Sequence, residues 1–357
     1  MLLPIVKMSP NRVRRNYLGG AVIDTLRGIE QAKDGDKPEE WLCSIVGAKN
    51  PGLPFVLHEG LSQFVHNGNT YLLKQVLEQN PDYYLGTNSD SSLSFLAKWL
   101  DSSMRLHMQA HPTKEFSKKF LGCEYGKFEA YYVLAIRESV ENPYIRLGFQ
   151  RKDMSKALWT DIVLRQDISM MDSCFENIPV QVGDVIYIPG GMPHAIGEGI
   201  LLLELMEPSD LVVRCEFNRN GIVVPEAARF MGKDVQLCMS MFDYQCVSVE
   251  QIRKKFFVQP NSIEKDIGYS KELLLGSEIS GCFDFYRLRI RSKIELDLDD
   301  RYAVVVCTKG NGIIQHEISY GVSLLDSFFV ASNTRRLTIT PTQEELELCL
   351  ILPPLQD

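Results

Sequence analysis

The amino-acid sequence predicts a mainly β protein: two jelly-roll barrels with helical insertions, joined by a helical connector. Three observations carry that expectation. From about Gly276 onward, short strand-like segments recur at intervals of about 8–12 residues, the spacing of an all-β sandwich or barrel. Earlier, Met104, Leu106, Met108 and Ala110 alternate with Arg105, His107, Gln109 and His111, the period of a strand with one apolar face. Between the two β-rich parts, residues 225–256 have helical spacing and little strand character.

The elements follow in chain order. Residues 1–40 are rich in Arg, Gly and Asp and read as loops around short strands, closing on Lys37-Pro38-Glu39-Glu40-Trp41. Residues 71–78 are helical and are stopped by Asn80-Pro81. Pro112 suits the first turn of a helix over 112–116, and 153–165 and 169–175 are helical as well. Strand character returns over 180–188 and 199–206. In the last third, strands are expected over 282–290, 302–307, 312–318, 327–331, 336–339 and 346–352. The division is a first lobe over 1–217, a connector over 218–275 and a second lobe over 276–357.

Composition excludes several classes. The chain has 357 residues, 45% hydrophobic and 24% charged, as globular proteins do, and a formal net charge of -8. That balance offers no basic surface for neutralising nucleic-acid phosphates, though a local pocket for one small anion is compatible with it. The opening Met1-Leu2-Leu3-Pro4-Ile5-Val6-Lys7 is too soon interrupted for a signal peptide, and no apolar run approaches the ~20 residues of a membrane span. Nine cysteines are scattered without a close pair, which reads as reduced, buried thiols in a cytoplasmic protein.

Gln109 and His111 stand two strand positions apart, roughly 6–7 Å, and share a face, so both reach one ion. A carboxylate and another imidazole would complete a mixed nitrogen–oxygen site. Downstream, Gly183-Asp184-Val185-Ile186-Tyr187-Ile188-Pro189-Gly190-Gly191-Met192-Pro193-His194 runs from a strand into a Gly/Pro turn and ends on a histidine. Lys127 precedes Glu129 by two residues, so on a strand it faces the same cavity.

That downstream segment fits the second cupin motif, and Gln109-Ala110-His111 with Glu129 stands where the first cupin motif carries its ligands. Leu325-Asp326 followed by Phe328-Phe329-Val330-Ala331 weakly repeats the second motif, with Arg335 near the place of the histidine. The combination resembles the type I mannose-6-phosphate isomerases, whose motifs include Gln-x-His-Pro, Lys-x-Glu and a Gly/Pro turn before a His. Two further stretches agree: Glu39-Glu40-Trp41-Leu42-Cys43-Ser44, and Glu204 to Arg214 with its Ser209-Asp210. The likeness runs from about residue 38 to 217 and continues weakly beyond.

The resemblance implies two cupin-like barrels, of which the first carries one zinc on Gln109, His111, Glu129 and His194 and the second carries no metal. It implies interconversion of mannose 6-phosphate and fructose 6-phosphate through an enediol or enediolate. Arg214 is the candidate cation for the developing charge, and Glu204 and Asp210 are both candidates for moving the proton. Lys127 is placed with the catalytic groups, and Lys98 and His107 with the substrate. The family usually carries Ser at the position of His107, and a family lysine after the arginine is replaced by Arg219 and Asn220. The implied partner is a small phosphosugar, with the chain a monomer or homodimer, away from nucleic acid and membrane. Two other readings are a non-catalytic sugar-binding or regulatory cupin, and another metal-dependent cupin enzyme acting on a different sugar.

Overall fold

The computed structural model describes residues 2–87 and 92–355. Four β layers stack through the molecule. A five-stranded sheet, in the order Ile178–Pro179, Tyr144–Leu147, His194–Ile196, Gln109–Ala110, Val213–Arg214, faces a seven-stranded sheet. The latter runs Phe257–Val258, Val185–Ile188, Glu129–Ile136, Ile200–Met206, Leu96–Asp101, Glu39–Leu42, Arg12–Val13. Its other face packs on a second seven-stranded sheet, which in turn faces a four-stranded sheet of Ile294–Asp297, Arg336–Pro341, Gly312–Gln315 and Ser319–Val322. The chain is thus mainly β, with two cupin-like barrels back to back.

Side-chain parity distributes the apolar residues among these layers. In Ile200–Met206 every residue is buried, because both faces of the strand are covered. Ile200 and Leu202 enter the first barrel, whereas Leu201, Leu203 and Leu205 join the core between the seven-stranded sheets. Across that core, Val304 and Val306 meet them, while Ala303, Val305 and Cys307 turn into the second barrel. Glu204 interrupts this apolar run, and its parity points it into the first barrel.

The helical insertions cover the outside of the five-stranded sheet. Lys156–Arg165, Ile168–Asp172 and Val235–Met239 pack Trp159, Ile162, Val163, Met171, Cys238 and Met239 against Met108, Ala110, Ala195 and Val213. Ser155, Asp167 and Asp234 cap their N-termini through side-chain oxygens. No helix among the described residues is long and apolar enough to cross a membrane.

Two segments differ from the sequence expectation. Residues 104–111 pair as a strand only at Gln109–Ala110, and their apolar residues divide: Met104 and Leu106 enter the barrel, Met108 and Ala110 the layer under the helices. The single apolar face is therefore broken between Leu106 and Met108, since both sides of this segment are covered. The connecting segment contains the helices Val235–Met239 and Val249–Phe256, the latter closed by a Ser248/Gln251 capping box, but also strands. Asn261–Asp266 and Tyr269–Leu275 form a hairpin on the edge of the second lobe's sheet, whose opposite edge is Ile5–Lys7 from the start of the chain. Asn261–Asp266 is exposed along its whole length, so it has no apolar face for periodicity to reveal.

Candidate metal centre and cavity

Two rows of side chains face each other inside the first barrel. On the five-stranded sheet, His194 and Arg214 both pair with Gln109, one on each side. On the seven-stranded sheet the row is Tyr131, Glu204, Lys98, Trp41, each directly opposite the next. Between the rows lies a narrow cleft lined mainly by charged and polar side chains. A tight turn brings His194 to the end of the Gln109 strand. Gly191, at φ 83°, donates its N–H to the His111 carbonyl at 2.7 Å, and a Cβ there would lie 2.6 Å from the Met241 carbonyl oxygen. A side chain at that position is excluded twice over.

The ligating atoms of His111, Glu129 and His194 lie within 4.8 Å of one another, and all three residues are buried. Backbone carbonyls set both imidazole tautomers. His111 Nδ1 is 2.7 Å from the Leu211 carbonyl oxygen, and His194 Nδ1 is 2.9 Å from that of Met192. Each Nδ1 must carry the proton, which leaves each Nε2 with a lone pair. Those lone pairs converge on one carboxylate: His111 Nε2 lies 3.0 Å from Glu129 Oε1, and His194 Nε2 lies 3.4 Å from Oε2. Burial pushes His111 down to about 3, so no imidazolium relieves the contact at neutral pH. His111 Nε2 accordingly has no hydrogen-bond donor or acceptor despite its burial. Three electron-rich atoms facing one another without a proton are the donor set of a divalent cation.

Gln109 adds a fourth group, its amide nitrogen 3.4 Å from His194 Nε2, and a half-turn of the amide exchanges that nitrogen for the oxygen. Glu129 also accepts from Tyr131 Oη at 2.5 Å and lies 3.1 Å from Lys127 Nζ. Burial works against its charge, while the Lys127 ammonium favours the carboxylate, which is held well below the usual range. Lys127 is itself buried and inward, as its parity with Glu129 required.

The carboxylates on the opposite row differ from each other. Burial pushes Glu204 up to about 8, against the pull of Lys98, whose Nζ is 3.1 Å away. Asp210 is held below its ordinary range, because Arg15 overcomes the burial. Arg15 grips both Asp210 oxygens at 3.0 and 3.2 Å, and the Lys49 N–H donates to Oδ2 at 2.8 Å. Glu204 is protonatable near neutrality; Asp210 is not.

Arg214 donates to the Ala228 carbonyl at 2.8 Å and, among the described residues, has no carboxylate within 4 Å. Burial lowers it to about 10, against the more distant pull of Asp210, leaving it charged at neutral pH. Lys98 and His107 also line the cleft. Lys98 lies 3.1 Å from both Glu39 and Glu204, so it bridges the two carboxyl groups. His107 sits 3.2 Å from the Ile222 carbonyl oxygen through Nε2, and burial lowers it to about 4. It is a neutral ring at pH 7.

No protein-family model matches the chain. Over 137 residues it is 35% identical to a mannose-6-phosphate isomerase of Streptococcus mutans, a match covering 38% of this chain and 40% of that one. A mannose-6-phosphate isomerase of Bacillus subtilis is 28% identical over 162 residues, covering 45% and 49%. In these alignments the chain spans less than half the length of either relative. Solved structures match along almost the whole chain. The Bacillus subtilis mannose 6-phosphate isomerase superposes with a TM-score of 0.75 at 19% identity, covering 98% of this chain and 99% of that one. A zinc-bound mannose 6-phosphate isomerase gives 0.70 at 14% identity, covering 99% and 100%. The fold is that of the mannose-6-phosphate isomerases.

Within that isomerase fold, the residues that line the cleft without having been assigned a part from the sequence include Arg15, Tyr17, Glu39 and Tyr131. Glu39 stood in a segment singled out by resemblance, and Tyr131 shares the parity of Glu129. Arg15 and Tyr17 lie in a stretch without periodic signal and reach the cleft through the pairing of Arg12–Val13 with Glu39–Glu40. His58, His66 and His316 do not line the cleft.

Proposed function

We propose that the chain is a metal-dependent aldose–ketose isomerase that interconverts mannose 6-phosphate and fructose 6-phosphate. The observation that carries this reading is the pair of imidazole lone pairs converging on Glu129, beside an arginine without a close carboxylate and a protonatable carboxyl, in a barrel of the isomerase fold. Gln109, His111, Glu129 and His194 would hold one divalent ion, with zinc supported by the zinc-bound structural neighbour. Bound there, the ion supplies polarisation of the sugar's carbonyl and hydroxyl oxygens.

The chain's own groups divide the remaining work. Arg214, lacking a carboxylate partner, stabilises negative charge developing on a substrate oxygen. Glu204 takes the proton from C2 of the aldose, the carbon next to the C1 carbonyl, and returns it to C1 while a hydroxyl proton passes from O2 to O1, since its pKa stands near the working pH. Asp210 has its oxygens occupied by Arg15 and Lys49, and serves by holding Arg15. Lys127 holds Glu129 in place, and Lys98 stands over Glu204. His107, being neutral, offers a substrate hydroxyl a ring nitrogen and not a cation for phosphate.

The charge balance supports an anionic substrate. Arg15, Lys98, Lys127 and Arg214 meet Glu39, Glu129, Glu204 and Asp210 in the cleft, four cations against four carboxyl groups, and burial pushes Glu204 up towards its neutral form. A divalent ion held there would turn this near balance positive. In the proposed division, 1–217 carries the chemistry, 218–275 connects, and 276–357 forms the second lobe, its sheet completed by Ile5–Lys7 and the hairpin over 261–275. The nine cysteines are all free, which supports a reducing, cytoplasmic setting, as monomer or homodimer.

A coupled assay with mannose 6-phosphate, supplying zinc, manganese or cobalt in turn, should show formation of fructose 6-phosphate. No turnover with any of the three ions would overturn the reading.

A further inference from the structure

Glu39 is neither one of the grouped metal ligands nor a free carboxylate, yet it lies on the cleft wall between two cations. Its carboxylate accepts four donors. Oε2 takes Arg15 Nε at 2.8 Å and the Trp41 indole N–H at 2.8 Å. Oε1 takes the Tyr17 hydroxyl at 2.6 Å and Lys98 Nζ at 3.1 Å. An ionised carboxylate has about four lone-pair sites, so Glu39 has none left for a substrate hydroxyl. Burial opposes its charge, but Arg15 and Lys98 hold it ionised, far below the usual carboxylate range.

Each of the two cations also holds a second carboxylate. Lys98 reaches from Glu39 to Glu204, and Arg15 from Glu39 to Asp210. Trp41 lies directly across the ladder from Lys98 and beneath Arg15, whose guanidinium is 4.8 Å from the centre of the indole ring. Glu39 is thus the common anchor of a chain of alternating charges that ends on the proton carrier. A lysine ammonium on four rotatable bonds has no fixed place of its own, and a saturated carboxylate gives it one.

We propose that Glu39 is a positioning residue, fixing Lys98 against Glu204 and Arg15 against Asp210, so that the substrate meets a cleft wall already ordered. The inference rests on the isomerase reading of this cleft. Preorganised charges of this kind act on the reacting geometry more than on the first binding of substrate. The segment Glu39-Glu40-Trp41 then has a physical reason: the alternating positions Glu39 and Trp41 share the cleft face, while Glu40 turns away to Arg27.

The test is Glu39→Gln, which keeps the shape but replaces two acceptor sites by an amide N–H₂ facing the cations. The expected result is a fall in kcat of about tenfold or more with KM within about twofold, and bound metal unchanged. Tyr17→Phe, which removes one donor and leaves the cations anchored, should lower kcat by no more than about threefold. Trp41 supplies a readout that needs no turnover, because its indole N–H bonds to Glu39: its fluorescence maximum should shift in Glu39→Gln. Should that variant fail to fold, Glu39→Asp, which keeps the charge on a shorter stem, should show the same separation of kcat from KM. Wild-type kcat in Glu39→Gln, or a loss of kcat matched by loss of bound metal, would overturn the inference. An unchanged Trp41 emission would overturn it even if wild-type protein turned over no phosphohexose, an outcome that would sink the isomerase reading separately.

Discussion

The two barrels share an architecture and differ in what fills them. The second is packed with Leu288, Ile290, Val305, Cys307, Ile314, Phe328, Leu337, Ile339, Leu348 and Leu350 in one apolar core. The first places Glu39, Lys98, Glu129, Glu204 and Arg214 at the equivalent depth, around a cleft. Burying an ion without compensation costs several kcal/mol, and even a paired buried ion rarely gains on an apolar neighbour of the same size. The second barrel contributes packing; the first gives up part of that stability to hold charges in place. Joined through the core between their seven-stranded sheets, they make one body in which the dry barrel braces the polar one.

Removing the donors from the first barrel should produce the largest effect. The double variant Glu129→Ala with His194→Ala is expected to lose its bound ion and more than about a thousandfold in kcat, while the second barrel's core stays folded. Elemental analysis of the purified protein checks it, and stoichiometric metal in the double variant would mean the ligands are elsewhere.

A smaller change follows from removing the proton carrier alone. Glu204→Gln should lower kcat by about a hundredfold or more with metal retained. Burial raises Glu204 to about 8, so its carboxylate form, the one able to accept a proton, gains population as pH rises. Wild-type kcat/KM should therefore climb with pH through a limb above the ordinary carboxylate range and level off beyond it. The limb should vanish in the variant; the same limb in both proteins would transfer the role to another group.

The mildest test for catalysis lies in the second barrel. Leu350→Ala removes a fully buried side chain and should cost roughly 2–5 kcal/mol of stability. Its kcat in the folded range should equal wild type. Denaturant unfolding and a parallel assay check both halves, and a kcat that fell along with stability would show the second barrel shaping the cleft directly.

Much of this contrast was legible in the sequence, though unevenly. Parity put Gln109 and His111 on one face, and the family resemblance added Glu129 and His194; the structure brings His111, Glu129 and His194 within 4.8 Å of one another. Lys127 could be turned inward from its parity with Glu129 alone. The hairpin over 261–275 escaped because its outer strand has no buried face to give it a period. The break between Leu106 and Met108 escaped for the opposite reason: both sides of that segment are buried, so an alternation in sequence did not translate into one apolar face. Arg15 and Tyr17 had no local signal at all, since their partners Glu39 and Asp210 come from distant parts of the chain.

By itself, the sequence determined which residues can share a face and where the chain must turn, because strand periodicity and Gly/Pro geometry depend on near neighbours. Together with the family resemblance, that was enough to foresee a mainly β chain of two barrels and the grouping of His111, Glu129 and His194 in the first. Only the tertiary structure decided which of two carboxyls burial pushes up, which cation has no carboxylate within 4 Å among the described residues, and that Lys98 bridges Glu39 and Glu204. Those properties are set by burial and by charges contributed from strands far apart in sequence, and they exist only once the sheets have closed around the cleft.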